Sequence, residues 1–180
     1  MQRLFVAIAL PDDVARSLAP LQTGVPGARW QSREQLHLTL RFVGEVDGRD
    51  ANAVHDALSR IEAPTLTLAL HGVGEFGGKR PGALWAGVRP NEALMHLQRK
   101  IETALQRVGQ PAERQRYTPH ITLARLRGAQ PGHLVDYLTD HALFSSGPFT
   151  VQAFILYSSL LTSDGSIYRA EHAYRLKEVP

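Results

Sequence analysis

The chain has 180 residues, 43% hydrophobic and 21% charged, with a formal net charge of +3, so it can form one well-buried domain or two small lobes sharing an interface. No apolar run approaches the roughly 20 residues of a membrane-spanning helix, and the absence of cysteine excludes disulfides, thiolate metal sites and cysteine nucleophiles together. The mild positive charge suits an anionic substrate and falls short of the density expected of a protein that coats duplex nucleic acid.

Residues 4–10 form an apolar run that meets Pro11-Asp12-Asp13 without a small-residue cleavage site, which favours a first strand over a signal peptide. With no cysteine, this fits a cytosolic protein. Pro11 and Asp12 open a helix with Val14, Leu18 and Leu21 on one face. Residues 24–27 are loop, 28–30 a short extended piece, 32–35 a turn, and 36–43 a strand. A turn over 44–48 leads to Asp50, which caps a helix with Ala51, Val54, Leu58 and Ile61 on one side. Pro64 ends it. Residues 65–73 read as a strand, 74–82 as a glycine-rich loop and 83–88 as a strand. Asn91 is an N-cap for an amphipathic helix whose stripe is Leu94, Leu97, Ile101, Leu105 and Val108, stopped by Gly109. A strand over 118–126, a helix carrying Leu134 and Leu138, a strand over 149–157, a turn at 162–165 and a last strand over 168–176 complete the chain.

One tetrapeptide occurs twice. His37-Leu38-Thr39-Leu40 returns as His120-Ile121-Thr122-Leu123. Because residues i and i+2 of a strand share a face, each copy shows a histidine and a threonine on one face and plants two aliphatic side chains behind. The offset is 120 − 37 = 83, and the same offset takes Thr67 to Thr150 and Trp85 to Tyr168. The fold class is therefore α+β. It is a two-lobed, pseudo-twofold duplication of a helix–strand–helix–strand–strand unit, with mainly antiparallel sheets flanking a cleft. No linker separates the halves, so residues 1–180 read as one domain with internal repeats at about 11–89 and 90–177.

Three chemistries bear on the repeated histidines. Zinc needs at least three ligands, and no second histidine or carboxylate lies within two strand positions of either motif. A serine nucleophile lacks its Gly-x-Ser-x-Gly elbow. Paired acid–base catalysis on a phosphodiester needs no metal or cofactor: one imidazole takes a proton from the attacking group and the other, protonated, supplies the leaving oxygen. Threonine hydroxyls and arginines then hold the non-bridging oxygens. Arg107, Arg114, Arg116, Arg125 and Arg127 cluster about the second motif, either as a solvated face or as an anion-attracting rim.

The residues also resemble a family. Ala28-Arg29-Trp30 followed by Leu36-His37-Leu38-Thr39-Leu40-Arg41-Phe42-Val43-Gly44-Glu45, and Tyr117-Thr118-Pro119-His120-Ile121-Thr122-Leu123-Ala124-Arg125, are similar to the two signatures of the two-histidine phosphoesterases. Within that group the chain resembles the bacterial RNA 2′,3′-cyclic phosphodiesterases once described as 2′-5′ RNA ligases, the LigT-like group. The resemblance implies opening of an RNA terminal 2′,3′-cyclic phosphate to a 2′-phosphomonoester, with His37 as proton donor and His120 as the proton acceptor that activates water. It implies Thr39, Thr122 and Arg125 as phosphate-binding residues. Pseudo-symmetry leaves the residues alone unable to divide acid from base.

Strict alternation puts Arg125 opposite His120, so the strand is expected to twist or end there; alternation puts Arg41 on the face of His37 as a second candidate for contact with RNA. Phe5, Trp30 and Tyr117 are candidates to stack on a nucleobase, with core packing the better reading for Phe5. Lys79 and Arg80 sit in a loop that reaches an RNA backbone or merely stays solvated. His55, His71, His96, His133, His141 and His172 fall outside any repeat and read as structural or surface residues. The expected partner is RNA with a 2′,3′-cyclic phosphate end or a cyclic nucleotide, with no membrane and a monomer by default. The alternatives are the reverse reaction, 2′-5′ joining of RNA ends, and a binding module without turnover.

Overall fold

A computed structural model describes residues 1–178. The elements run β1 (Gln2–Ala9), α1 (Asp12–Leu18), β2 (Ala28–Trp30), β3 (His37–Val46), α2 (Gly48–Ser59), β4 (Leu66–Phe76), β5 (Ala83–Val88), α3 (Glu92–Arg107), β6 (His120–Leu126), α4 (Pro131–Asp140), β7 (Ser145–Val151), β8 (Ala153–Thr162) and β9 (Gly165–Arg175). Short 3₁₀ turns follow α1 and precede β3.

The strands form two sheets, a four-stranded one in the order β3-β1-β8-β9 and a five-stranded one in the order β2-β6-β5-β4-β7. Every ladder in them is antiparallel. The expected two-lobed α+β fold is therefore present, with a connectivity that the repeat alone does not convey. The first half supplies β1 and β3 to one sheet but sends β2, β4 and β5 to the other; the second half supplies β6 and β7 to that second sheet and sends β8 and β9 to the first. Each lobe thus contains strands borrowed from the opposite half of the chain. Thr67 and Thr150, related by the repeat offset, face each other across β4 and β7.

The main core joins both sheets to α1, α2 and α3 through fully buried Ile8, Leu18, Leu38, Leu58, Leu97, Ile101 and Ile121. A smaller core behind the second sheet contains Leu84, Ala124, Leu134 and Tyr137. The helix stripes behave as their 3.6-residue spacing requires: Leu94, Leu97, Ile101 and Leu105 are all buried on α3, whose Asn91 cap accepts a hydrogen bond from the Leu94 amide.

Several boundaries differ from expectation, four of them with consequences for the fold. β3 runs through the expected turn to Val46, and the cap of α2 is Asp47, whose carboxylate accepts from the Asp50 amide, rather than Asp50 itself. β4 extends to Phe76, into the expected glycine loop. Gly74 is needed there for close approach and not for a turn, because a Cβ at this position would lie 2.2 Å from the Trp85 indole. The run 149–157 is two strands in different sheets, β7 and β8, parted at Gln152.

Candidate active site

Leu38 and Leu40, like Ile121 and Leu123, are anchored in the core. Period-two alternation then turns His37 with Thr39, and His120 with Thr122, into one cleft of about 490 Å³. A second chamber of about 390 Å³ adjoins it and shares Thr39, Phe42, Phe76, Gln115 and His120. A larger groove, about 900 Å³, lies between α2 and α3 and contains neither motif.

Both imidazoles are oriented in the same way. His37 Nδ1 lies 2.7 Å from the Gln35 carbonyl and His120 Nδ1 lies 2.7 Å from the Thr118 carbonyl. A carbonyl only accepts, so each Nδ1 carries the hydrogen and donates it. Each neutral ring therefore presents a bare Nε2, the nitrogen free to exchange a proton in the cleft. The His37 Nε2 meets the Thr39 hydroxyl at 2.9 Å.

Aromatic rings surround each histidine. Phe5 lies 4.9 Å from His37 and Tyr168 is set edge-on at 5.2 Å; Phe76 is edge-on to His120 at 4.7 Å, with Trp85 at 6.2 Å. This burial disfavours the imidazolium. It is the main reason that His37 drops from 6.5 to about 4, with the Gln35 carbonyl opposing and the Arg125 and His120 charges adding to the fall. His120 is also lowered, again chiefly by burial, with the Thr118 carbonyl opposing and Arg125 adding.

Arg125 reaches the cleft because β6 does not alternate strictly. Trp85 of β5 pairs with Thr122 but Leu84 pairs with Ala124, leaving Leu123 as an extra residue. Such a bulge re-aims the residues that follow it. Leu123 and Ala124 are consequently both buried, and Arg125 lines the cleft beside His120 and Thr122. β3 has the same device at Leu40, where Ala7 pairs with Thr39 and Val6 with Arg41.

That bulge overturns the expectation for Arg41. Its side chain leaves the face of His37 and is buried at 8% exposure. There Nε pairs with Glu102, while the other guanidinium nitrogens donate to the Phe42 and Pro111 carbonyls. Glu102 also accepts from the Glu113 amide and from Gln106. Arg41 therefore ties the bulge of β3 to α3 and to the segment that leads into β6. Phe42 takes the cleft position instead. It is the repeat mate of Arg125, since 42 + 83 = 125, and is 57% exposed.

The remaining candidates separate by contact. Phe5 is buried and forms the cleft floor under His37. Trp30 pairs with Ala124 on the back of the sheet and packs 6.2 Å from Tyr137, so its indole belongs to the core and not to the cleft. The Tyr117 hydroxyl donates to the Thr39 carbonyl at 2.9 Å, linking the approach to one motif strand with the other motif strand, and burial pushes its pKa above the usual phenol range. Arg116 lines the second chamber, whereas Arg107 lines the outer helix groove. Lys79 and Arg80 are exposed on the β4–β5 hairpin. His55 stacks on His172 at 3.7 Å and bonds Tyr174, outside the cleft.

Missed by sequence reasoning were Phe42 and Phe76, the exposed rings at the cleft, and Tyr168, whose repeat relation to Trp85 was the available signal. Among the described residues no three histidine, aspartate or glutamate side chains gather to hold a metal ion. Among the described residues no helix is long and apolar enough to cross a membrane.

Residues 10–161 match the model of the 2′-5′ RNA ligase superfamily. The chain is 32% identical over 164 residues to an RNA 2′,3′-cyclic phosphodiesterase of Aeropyrum pernix, covering 89% of each protein. Among solved structures it is similar to Escherichia coli LigT in apo form, with a TM-score of 0.80 and 27% identity over 97% of each chain. It is also similar to LigT complexed with 3′-AMP, with a TM-score of 0.77 and 26% identity over 97% of this chain and 98% of that one.

Proposed function

The chain belongs to the 2′-5′ RNA ligase superfamily, and from that footing we propose that its cleft hydrolyses RNA 2′,3′-cyclic phosphodiesters through His37 and His120. The observation that carries this reading is the pair of imidazoles, each fixed through Nδ1 so that its Nε2 serves one cleft. His120 Nε2 takes a proton from water as the water oxygen attacks phosphorus. His37, protonated, gives its Nε2 proton to the 3′ oxygen as the P–O3′ bond breaks, leaving a 2′-phosphomonoester. Division of labour between the two follows the family pattern.

Thr39 couples to that cycle. While His37 is neutral, the Thr39 hydroxyl donates to Nε2; once His37 is protonated, Nε2–H donates to Thr39 and frees the hydroxyl hydrogen for a phosphate oxygen. Thr122 and Arg125 hold the other non-bridging oxygens as charge develops. Phe42 and Phe76 offer faces for the terminal base, the common means of holding an unpaired nucleotide.

The test is incubation with a 2′,3′-cyclic nucleotide in the presence of EDTA, with the product identified. A 2′-phosphate is expected. A 3′-phosphate, or joined RNA ends with no hydrolysis, would overturn the reading.

The pH dependence follows from the burial of the rings. In the free enzyme the base must be neutral and the acid protonated, yet both imidazoles are held below 6.5, His37 at about 4. The kcat/KM profile should therefore be bell-shaped with its optimum on the acid side of 6.5. A bound phosphodiester anion favours imidazolium, so the kcat profile should lie at higher pH than that of kcat/KM. Coincident profiles, or a kcat/KM optimum above pH 7, would contradict this electrostatic account.

A further inference from the structure

Strand β2 has three residues, and two of them divide its work. Trp30 points into the core against Tyr137 and anchors the strand. Arg29, its neighbour, points the other way. It is the direct partner of Arg125 across the β2–β6 ladder, so the two guanidinium groups share the cleft face on strands about 4.8 Å apart. Like charges directly opposed in a sheet destabilise it. Among the described residues the ion pairs are Arg33–Asp12, Arg41–Glu102 and Lys177–Glu62, and none relieves this arginine pair. The two arginines thus form a cation cluster without a carboxylate partner, which favours an anion at this place.

The guanidinium of Arg29 reaches the cleft lip. A Cβ built on Gly165 would lie 3.4 Å from its Nη2, which places the charged head against the β8–β9 turn of the other lobe. Gln35 pins that turn by donating to the Ser166 carbonyl at 2.9 Å, and Ser166 lines the cleft. Arg29 therefore stands one strand outward from Arg125, at the rim of the cleft.

We propose that Arg29 binds the phosphodiester next to the cyclic end, so that the preferred substrate is a single-stranded oligonucleotide end and not a free cyclic mononucleotide. The proposal rests on the phosphodiesterase reading above. Arg29 acts in binding and takes no part in proton transfer.

The experiment compares wild type, Arg29→Gln and Arg29→Lys on two substrates with the same terminal nucleotide: a 2′,3′-cyclic mononucleotide and a trinucleotide bearing the 2′,3′-cyclic phosphate. For the trinucleotide, Arg29→Gln should raise KM about five- to tenfold with kcat unchanged. Its salt dependence, as log KM against log salt, should weaken by about 0.7, the contribution of one single-strand phosphate contact. Arg29→Lys should recover most of the loss, and mononucleotide turnover should not change in either variant. Equal loss on both substrates, or no loss on either, overturns the proposal. Wild type inactive on both would instead remove the phosphodiesterase reading, and this proposal with it.

Discussion

Turnover of a 2′,3′-cyclic phosphate by the His120→Ala variant should fall by roughly 10²- to 10⁴-fold, the usual worth of a positioned general base. The fall should be in kcat, because the Nε2 of His120 faces the cleft while Thr122 and Arg125 remain to bind phosphate. His37→Ala should lose a comparable factor on the same substrate, since an unprotonated alkoxide is a poor leaving group. The two variants part on an activated aryl phosphodiester, whose leaving group departs without a proton. That substrate should restore much of the rate to His37→Ala and little to His120→Ala, which still lacks the base that activates water. Steady-state kinetics on both substrates measures this directly. Restoration in His120→Ala alone would exchange the two roles, and activity within about threefold of wild type in either variant would sink paired catalysis.

The second large effect should come from a residue outside the cleft. Arg41→Met leaves the carboxylate of Glu102, only 17% exposed, without its partner, and frees the Phe42 and Pro111 carbonyls. Removing one member of a buried ion pair costs about 3–5 kcal/mol, and in a chain of this length that is a fall in Tm of roughly 10 °C. The double variant Arg41→Met/Glu102→Leu should recover part of the loss, because it no longer leaves a charge unpaired. Thermal unfolding of the single and double variants checks both statements; a shift below about 2 °C for Arg41→Met would show that the pair contributes little. Activity should drop in the single variant even where it is folded, since Arg41 holds the β3 bulge against the segment that carries Tyr117 into the second motif.

The parts of this site that were legible in the sequence are those that obey simple periods. His37 with Thr39 and His120 with Thr122 need only two-residue alternation, and the buried stripe of α3 needs only 3.6. The illegible parts arise where one residue is inserted into a ladder. Leu40 and Leu123 are ordinary strand leucines, so nothing in their chemistry announces a bulge, yet each inverts the face assignments of the residues just after it. That inversion withdraws Arg41, admits Arg125 and installs Phe42. The 83-residue offset linking Phe42 to Arg125 was present all along, but a phenyl ring and a guanidinium do not look like mates. Trp30 misled for a related reason. Its place beside the first signature suggested the cleft, and only the pairing of β2 with β6 shows that Arg29 faces the cleft while the indole faces the core. The division at Gln152 was hidden because a single polar residue is all that separates two apolar strands.

The exchange of strands between the halves has a consequence for how the chain acquires its shape. β1 finds β3 within some 40 residues, but its other neighbour is β8, with Arg3 opposite Ser159. A ribosome must make most of the chain before that edge of β1 can be covered. Until then the buried strand Leu4-Phe5-Val6-Ala7-Ile8 offers an open, apolar edge of the kind that recruits other chains. Pairing across such a separation is also slow, because the loop must close before the contacts reward it. The floor under His37 is therefore among the last parts of the molecule to close, and the proton-transfer site matures only when the first strand and the eighth have met.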